Sequence, residues 1–155
     1  MQTRVRAWPL STMLLLFSLA GCVKEKKVAF ILNQKVFNEF DGKKELEKKL
    51  SKVREANKSV IDSLNNLIQH TSNYSVIQMH KSSISDIQFT EQELTEKYTS
   101  DLWNTINAGI KEFGEQKEYD FILGATGNGG LMYAKKGNDI TDEVLRYLNK
   151  RYTGN

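Results

Sequence analysis

Cys22 is the one cysteine in this 155-residue chain, and a lone thiol has few uses. It cannot close an intramolecular disulfide, and a free thiol is a liability wherever disulfides form. Acylation of the sulfur removes that liability. The other candidate chemistries are thin. His70 and His80 stand ten residues apart with no cysteine or carboxylate cluster around them; that is not a metal-ligand spacing, and both read as polar surface residues. Neither lies beside a serine motif that would build a triad. The segment Gly124-Ala125-Thr126-Gly127-Asn128-Gly129-Gly130 is rich in glycine. It lacks the Gly-Lys-Ser/Thr step of a phosphate loop, and a strand-like run follows it where such a loop needs a helix. Asn128-Gly129 between two apolar runs is instead a hairpin signal, because both residue types accept positive φ. Carboxylates are spread along helical stretches at solvated positions. The sequence therefore predicts a protein that is not an enzyme and has no catalytic residues, cofactor or metal.

The residues before Cys22 account for the thiol. Arg4 and Arg6 are the only charges there, and Leu10–Ala20 is an apolar run too short to span a bilayer permanently. These are the dimensions of a signal peptide. The run ends in Leu19-Ala20-Gly21-Cys22, which resembles the lipobox of bacterial lipoproteins. The resemblance implies removal of residues 1–21, a lipid on Cys22 and attachment to a membrane through it. Residues 22–27 then form a short charged tether. Val23 supplies no acidic retention signal after the cysteine. The expected location is thus the cell envelope, facing the periplasm, at the outer membrane more than the inner one.

Without the leader the chain carries a net charge of +1. That leaves no basic field to attract phosphates, so nucleic acid is excluded as a partner. The single proline, Pro9, lies in the leader. A proline-free, charge-rich remainder favours long helices.

The elements follow from the spacing of apolar residues. Val28–Leu32 is a compact apolar run that reads as a buried strand. Asn33 is placed to cap a short helix carrying Val36, Phe37 and Phe40, and Asp41-Gly42 interrupts before a long helix. In that helix Leu46, Leu50, Val53, Asn57, Val60, Leu64 and Leu67 are spaced 4, 3, 4, 3, 4, 3. This is a heptad seam, with Asn57 as a polar register mark. A second helix is expected to start at Thr90-Glu91-Gln92-Glu93, a capping box flanked by the staple pair Phe89 and Leu94. Its apolar stripe runs through Tyr98, Leu102, Ile106, Ile110 and Phe113, with Trp103 beside it.

Taken as 43–70 and 91–118, the two arms are each about 42 Å long. The first arm carries seven basic and four acidic residues, the second three and seven, which favours antiparallel pairing. Residues 71–90 lie between the arms, either as helix extensions or as a tip exposing Tyr74, Val76, Ile77, Met79, Ile84 and Ile87. Beyond the arm, Tyr119–Leu123 and Leu131–Ala134 read as the two strands of a hairpin. A last helix should be capped by Asp139, with acids in its first turn and bases in its last.

Three segments carry a resemblance to the Skp/OmpH family of periplasmic chaperones. They are Lys27–Asn33 with Val36-Phe37, Tyr119–Leu123 with Met132–Ala134, and Asp139–Val144 with Leu148-Asn149. The resemblance implies an α+β fold: a small β body (28–42 and 119–155, a strand and a C-terminal hairpin) carrying a long antiparallel coiled-coil arm (43–118). It further implies a homotrimer whose arms shelter unfolded outer-membrane proteins without ATP, the tip residues above touching the client. Family tips are strongly basic, whereas residues 71–90 carry one lysine, Lys81. The alternative function is a structural or adaptor lipoprotein whose coiled coil serves as spacer or docking arm.

Overall fold

A computed structural model describes residues 25–154. The leader, the lipobox and Cys22 lie outside the described residues. The element order is β1 (Val28–Leu32), α1 (Asn33–Glu39), α2 (Asp41–Gln69), α3 (Tyr74–Gln116), β2 (Phe121–Ala125), a 3-10 turn (Lys136–Asn138) and α4 (Thr141–Thr153). The architecture is α+β, dominated by the two long helices, with one two-stranded sheet.

The sheet corrects the hairpin expectation. β2 pairs with β1 in parallel, Val28 against Phe121 through Leu32 against Ala125. Leu131–Ala134 forms no strand, although Phe30 makes a lone bridge to Asp139. An Asn-Gly hairpin turn needs positive φ at both residues. Here the positive angles fall on Gly127 (+78°) and Gly129 (+87°), not on Asn128.

The core sits where β1, α1, α4 and the base of α3 meet. Ala29, Ile31, Val36, Phe40, Ile106, Phe113, Val144 and Leu148 are each at most 3 % exposed there. Their spacing explains the elements. Ala29 and Ile31 alternate inward along β1, Leu102, Ile106, Gly109 and Phe113 form the buried stripe of α3, and Val144, Leu145 and Leu148 do the same for α4.

Side chains from the C-terminal segment close the gaps between elements. α1 and α2 are separated by one extended residue, Phe40, so Asp41-Gly42 opens α2 and does not interrupt it. Neither helix has a local side-chain cap, and Asn33 is the first residue of α1, not its cap. Asn149 of α4 stands in at the break. Its Oδ1 accepts from the Asp41 backbone N–H at 2.9 Å and its Nδ2 donates to the Glu39 carbonyl at 3.4 Å. Thr141, 2 % exposed, accepts from the Leu32 N–H at the end of β1 and donates its hydroxyl proton to Asp139. Asp139 also accepts from the Thr141 N–H, so it serves the start of α4 one residue before the position a cap would take.

The end of α3 is fixed as firmly. Tyr119 N–H donates to the Gly114 carbonyl at 2.9 Å and Glu118 N–H to Glu115 at 3.3 Å. This is a Schellman motif with Glu118 in the left-handed position (φ +55°) that glycine usually holds. Lys27 then crosses the helix end. Its Nζ donates to the Lys117 carbonyl at 2.7 Å and lies 4.1 Å from the centre of the Tyr119 ring. The last residue of the expected tether is thus fastened to the fold.

Candidate functional site

The long helix pair is the part of the molecule not spent on the core. α3 begins at Tyr74, not at Thr90, and takes in nearly all of residues 71–90. Asn73 caps it, its Oδ1 accepting from the Ser75 and Val76 N–H groups. The expected capping box is therefore helix interior. Thr90 donates its hydroxyl back to the Asp86 carbonyl, a bond available to threonine inside a helix, while Phe89 is 61 % exposed and staples nothing. The motif carried only local information, and the stronger cap upstream had already started the helix.

A four-residue connection, 70–73, returns the chain alongside α2. Arg54 Nε and Asn57 Nδ2 both donate to the Glu91 carboxylate at 3.1 Å. The polar mark read at Asn57 is thus a three-residue cluster in the middle of the helix pair. Along α3 the protected line is Ile77, His80, Ile84, Ile87, Glu91, Leu94 and Tyr98, a heptad run. His80 belongs to it, which corrects its reading as a surface residue. His70 is exposed, its Nδ1 2.8 Å from the Asn66 carbonyl.

Along α2 the expected seam holds as far as Asn57 and then shifts. The protected residues are Leu46, Leu50, Val53, Asn57, Ile61, Leu64 and Ile68. Their spacing is 4, 3, 4, 4, 3, 4, two eleven-residue units. Such a repeat stays nearly in phase with a straight helix, whereas a strict heptad demands left-handed supercoiling. Val60 and Leu67, expected in the seam, are 48 % and 51 % exposed.

These two side chains define a face. Val53, Val60 and Leu67 are seven residues apart in turn and share one flank of α2. On the same side a groove of about 270 Å³ is lined by Val53, Ile87, Thr90 and Leu94 together with Asn57, Asp86 and Glu91. Val76 lies eighteen residues before Leu94, a whole number of turns, and Met79 follows one turn later. The groove on the other side of the pair is lined by Arg54, Lys58, Gln88, Gln92 and Glu96. Both grooves thus carry acidic side chains, and the cations Arg54 and Lys58 lie on one of them only.

The six expected tip residues divide by burial. Val76, Ile77, Ile84 and Ile87 are half-buried, whereas Tyr74 (74 %) and Met79 (58 %) stand in solvent. The base of the arm is tied to α4 by the Tyr152 hydroxyl, which donates to Glu45 at 2.8 Å. That hydrogen bond, with burial second, pushes the tyrosine pKa up.

A second unspent surface surrounds the small sheet. Val28, Leu32, Phe121, Leu123, Met132 and Tyr133 are all more than a third exposed. Beside them an open cavity of about 830 Å³ is lined by Val28, Phe30, Leu123, Leu131 and Tyr133 together with charged residues of both signs, Lys26, Lys27 and Lys135 and also Glu25 and Glu118. Among the described residues no helix is long and apolar enough to cross a membrane, and no group of three ligating side chains is gathered for a metal ion.

Residues 73–148 match the family model described as outer membrane protein (OmpH-like). No curated protein matches the chain. The matched span takes in all of α3 and β2 and α4 as far as Leu148, the helix that carries the arm and the elements that fasten it. Over those residues the chain is similar to the OmpH-like family.

Proposed function

We propose that this protein is an ATP-independent holdase that keeps unfolded outer-membrane proteins from aggregating, working as a lipid-anchored trimer. The observation that carries the reading is the set of exposed apolar side chains along the arm. Val60, Leu67 and Met79 stand in water on one flank of a helix pair that the core does not need. Unsatisfied apolar side chains spaced along an arm suit a chain held by many weak contacts, and a single tight pocket would suit one fixed partner.

Coiled-coil pairing of α2 and α3, with residues 28–42 and 119–155 as a body and 43–118 as the arm, supplies the geometry. The polar cluster at Glu91 and the shift in the α2 seam leave that pairing less than fully zipped. Tyr74 and Met79 are the tip residues most available to a client, while Ile77, Ile84 and Ile87 serve it only where the two helices part.

Trimer assembly is supported by the sheet. A two-stranded sheet is marginal alone in water, and the apolar side chains around β1, β2 and Tyr133 are what strand sharing between copies would cover. A lipid on Cys22, at the outer membrane in preference to the inner, would hold the assembly on the periplasmic side, the bodies nearest the bilayer because Lys27 fastens to the end of α3.

The test is aggregation of an unfolded β-barrel membrane protein, followed by light scattering, with and without this chain. Suppression is expected. The Val60→Ser, Leu67→Ser, Met79→Ser variant should hold less client while keeping its helical circular dichroism. A chain that suppresses nothing and instead binds one folded envelope protein tightly is an adaptor, and the holdase reading falls.

A further inference from the structure

A cavity of about 520 Å³ lies between α1, the middle of α3 and the glycine loop, away from the two unspent surfaces. Asn33, Gln34 and Asn38 line it from α1, Thr126 and Asn128 from the loop. Its remaining lining is aromatic: Phe37 and Trp103 stack with ring centres 4.9 Å apart and planes 19° apart. None of the seven lining side chains is charged, in a chain where 26 % of residues are. The other large cavities carry lysines, arginines or glutamates.

The walls are held in place. A Cβ on Gly124 would come within 2.6 Å of both the Nδ2 and Oδ1 atoms of Asn33, so glycine there is what admits the amide. Lys43 Nζ donates to the Asn38 Oδ1 at 2.7 Å, which engages that oxygen and leaves the two amide N–H groups to donate elsewhere. The glycine loop, which closes no hairpin, thereby acquires a role as one wall of this cavity.

Four primary amides and a hydroxyl beside a flat aromatic pair match one ligand chemistry. A primary amide carries a carbonyl acceptor and two donors, and with the Asn38 oxygen taken by Lys43 the set still supplies both, the complement of adjacent hydroxyl groups; an aromatic face suits the C–H face of a sugar ring. The one cation beside the lining, Lys43, is engaged by the Asn38 oxygen and lies over the Phe37 ring, so an anion gains little there, and a purely apolar ligand would leave the amides without partners, at a cost for each. We infer that this cavity is a saccharide-binding site for an uncharged stretch of glycan, separate from the client-holding arm.

Trp103 reports directly on it. The only other tryptophan is Trp8, so the full chain carrying Trp8→Phe, kept in mild detergent, has one emitter. Titration with N-acetylglucosamine trimer should change its emission saturably at millimolar sugar or below. Gln34→Ala with Asn128→Ala removes two exposed amides. Losing two neutral hydrogen bonds should weaken binding about tenfold, with circular dichroism unchanged. Sedimentation with purified peptidoglycan and with lipopolysaccharide, each challenged with the free trimer, tells which envelope glycan is the source. No saturable change with the trimer overturns the proposal, and so does a change that the double variant leaves intact. A response only to an unfolded polypeptide would make the cavity part of client holding and overturns it equally.

Discussion

Gly109 is buried on α3 where that helix meets α4, and a Cβ placed there would fall on Leu148 Cδ2, well inside contact distance. Leu148 is itself 2 % exposed, so it has little room to swing away. Two effects oppose each other in Gly109→Ala. Alanine gains about 1 kcal/mol over glycine in a helix interior. Forcing a methyl into a filled site costs about 1–3 kcal/mol. The net expectation is a loss of about 1 kcal/mol, a fall in Tm of roughly 3–5 °C for a domain of this size.

The cause can be isolated by a second change. Leu148→Ala alone should cost about 2–5 kcal/mol. In that background the new methyl enters vacated space, so Gly109→Ala should stabilise by about 1 kcal/mol or more. The cycle therefore predicts a favourable coupling of about 1–3 kcal/mol, read from urea denaturation followed by helical circular dichroism. If Gly109→Ala stabilises the unaltered protein, or if the two changes add, close packing of α3 on α4 is not what glycine serves at this position.

Glu118→Gly should stabilise by up to about 1 kcal/mol, because glycine holds the left-handed position of the α3 stop without a Cβ penalty; thermal melts check it. Lys35 and Asp142 pair at 2.6 Å. The hydrogen bond and then the charge of Lys35 hold the Asp142 carboxyl below its ordinary value. A depressed carboxylate contributes stability above its unfolded pKa and loses it as pH falls through the folded one, so Lys35→Met should shift the Asp142 titration upward in an NMR pH series. Leu64→Asp puts a charge on the protected line of α2 and should speed hydrogen exchange in the outer arm while the core around Ile106 stays protected. Cys22→Ala should abolish the lipid mass seen on the wild-type protein by mass spectrometry.

Legibility in the sequence tracked how far each signal reached. Val28–Leu32 was legible to the residue, because five consecutive apolar side chains have few other fates. The α2 seam was legible to Asn57. Beyond it both a heptad and an eleven-residue line fit the apolar residues, and only the partner helix chooses between Val60 and Ile61. Thr90-Glu93 and Asn128-Gly129 are sound local motifs that the chain overrode, one because Asn73 had already capped the helix and the other because the positive φ angles fall on Gly127 and Gly129 and not on Asn128. Leu148-Asn149 stood out in the sequence for its likeness to other chains, but nothing local says that the Asn149 amide bridges α1 to α2. The exposed Tyr74 and Met79 could be named from composition, whereas their separation from the half-buried isoleucines needed the path of α3.

The parallel pairing of β1 with β2 also sets an order of events during synthesis. Val28 emerges 93 residues ahead of its partner Phe121. Until then β1 has both edges bare, and closing so long an unstructured loop is slow. Formation of the α2–α3 hairpin first shrinks the problem. It folds the intervening chain back on itself and carries the longer α3 past the start of α2 to the level of Lys27, which meets the Lys117 carbonyl, leaving a few residues to settle at each end. The arm is then a folding device before it is a working one. Substitutions along Val53, Ile87 and Leu94 should slow refolding, whereas substitutions in β2 should chiefly hasten unfolding.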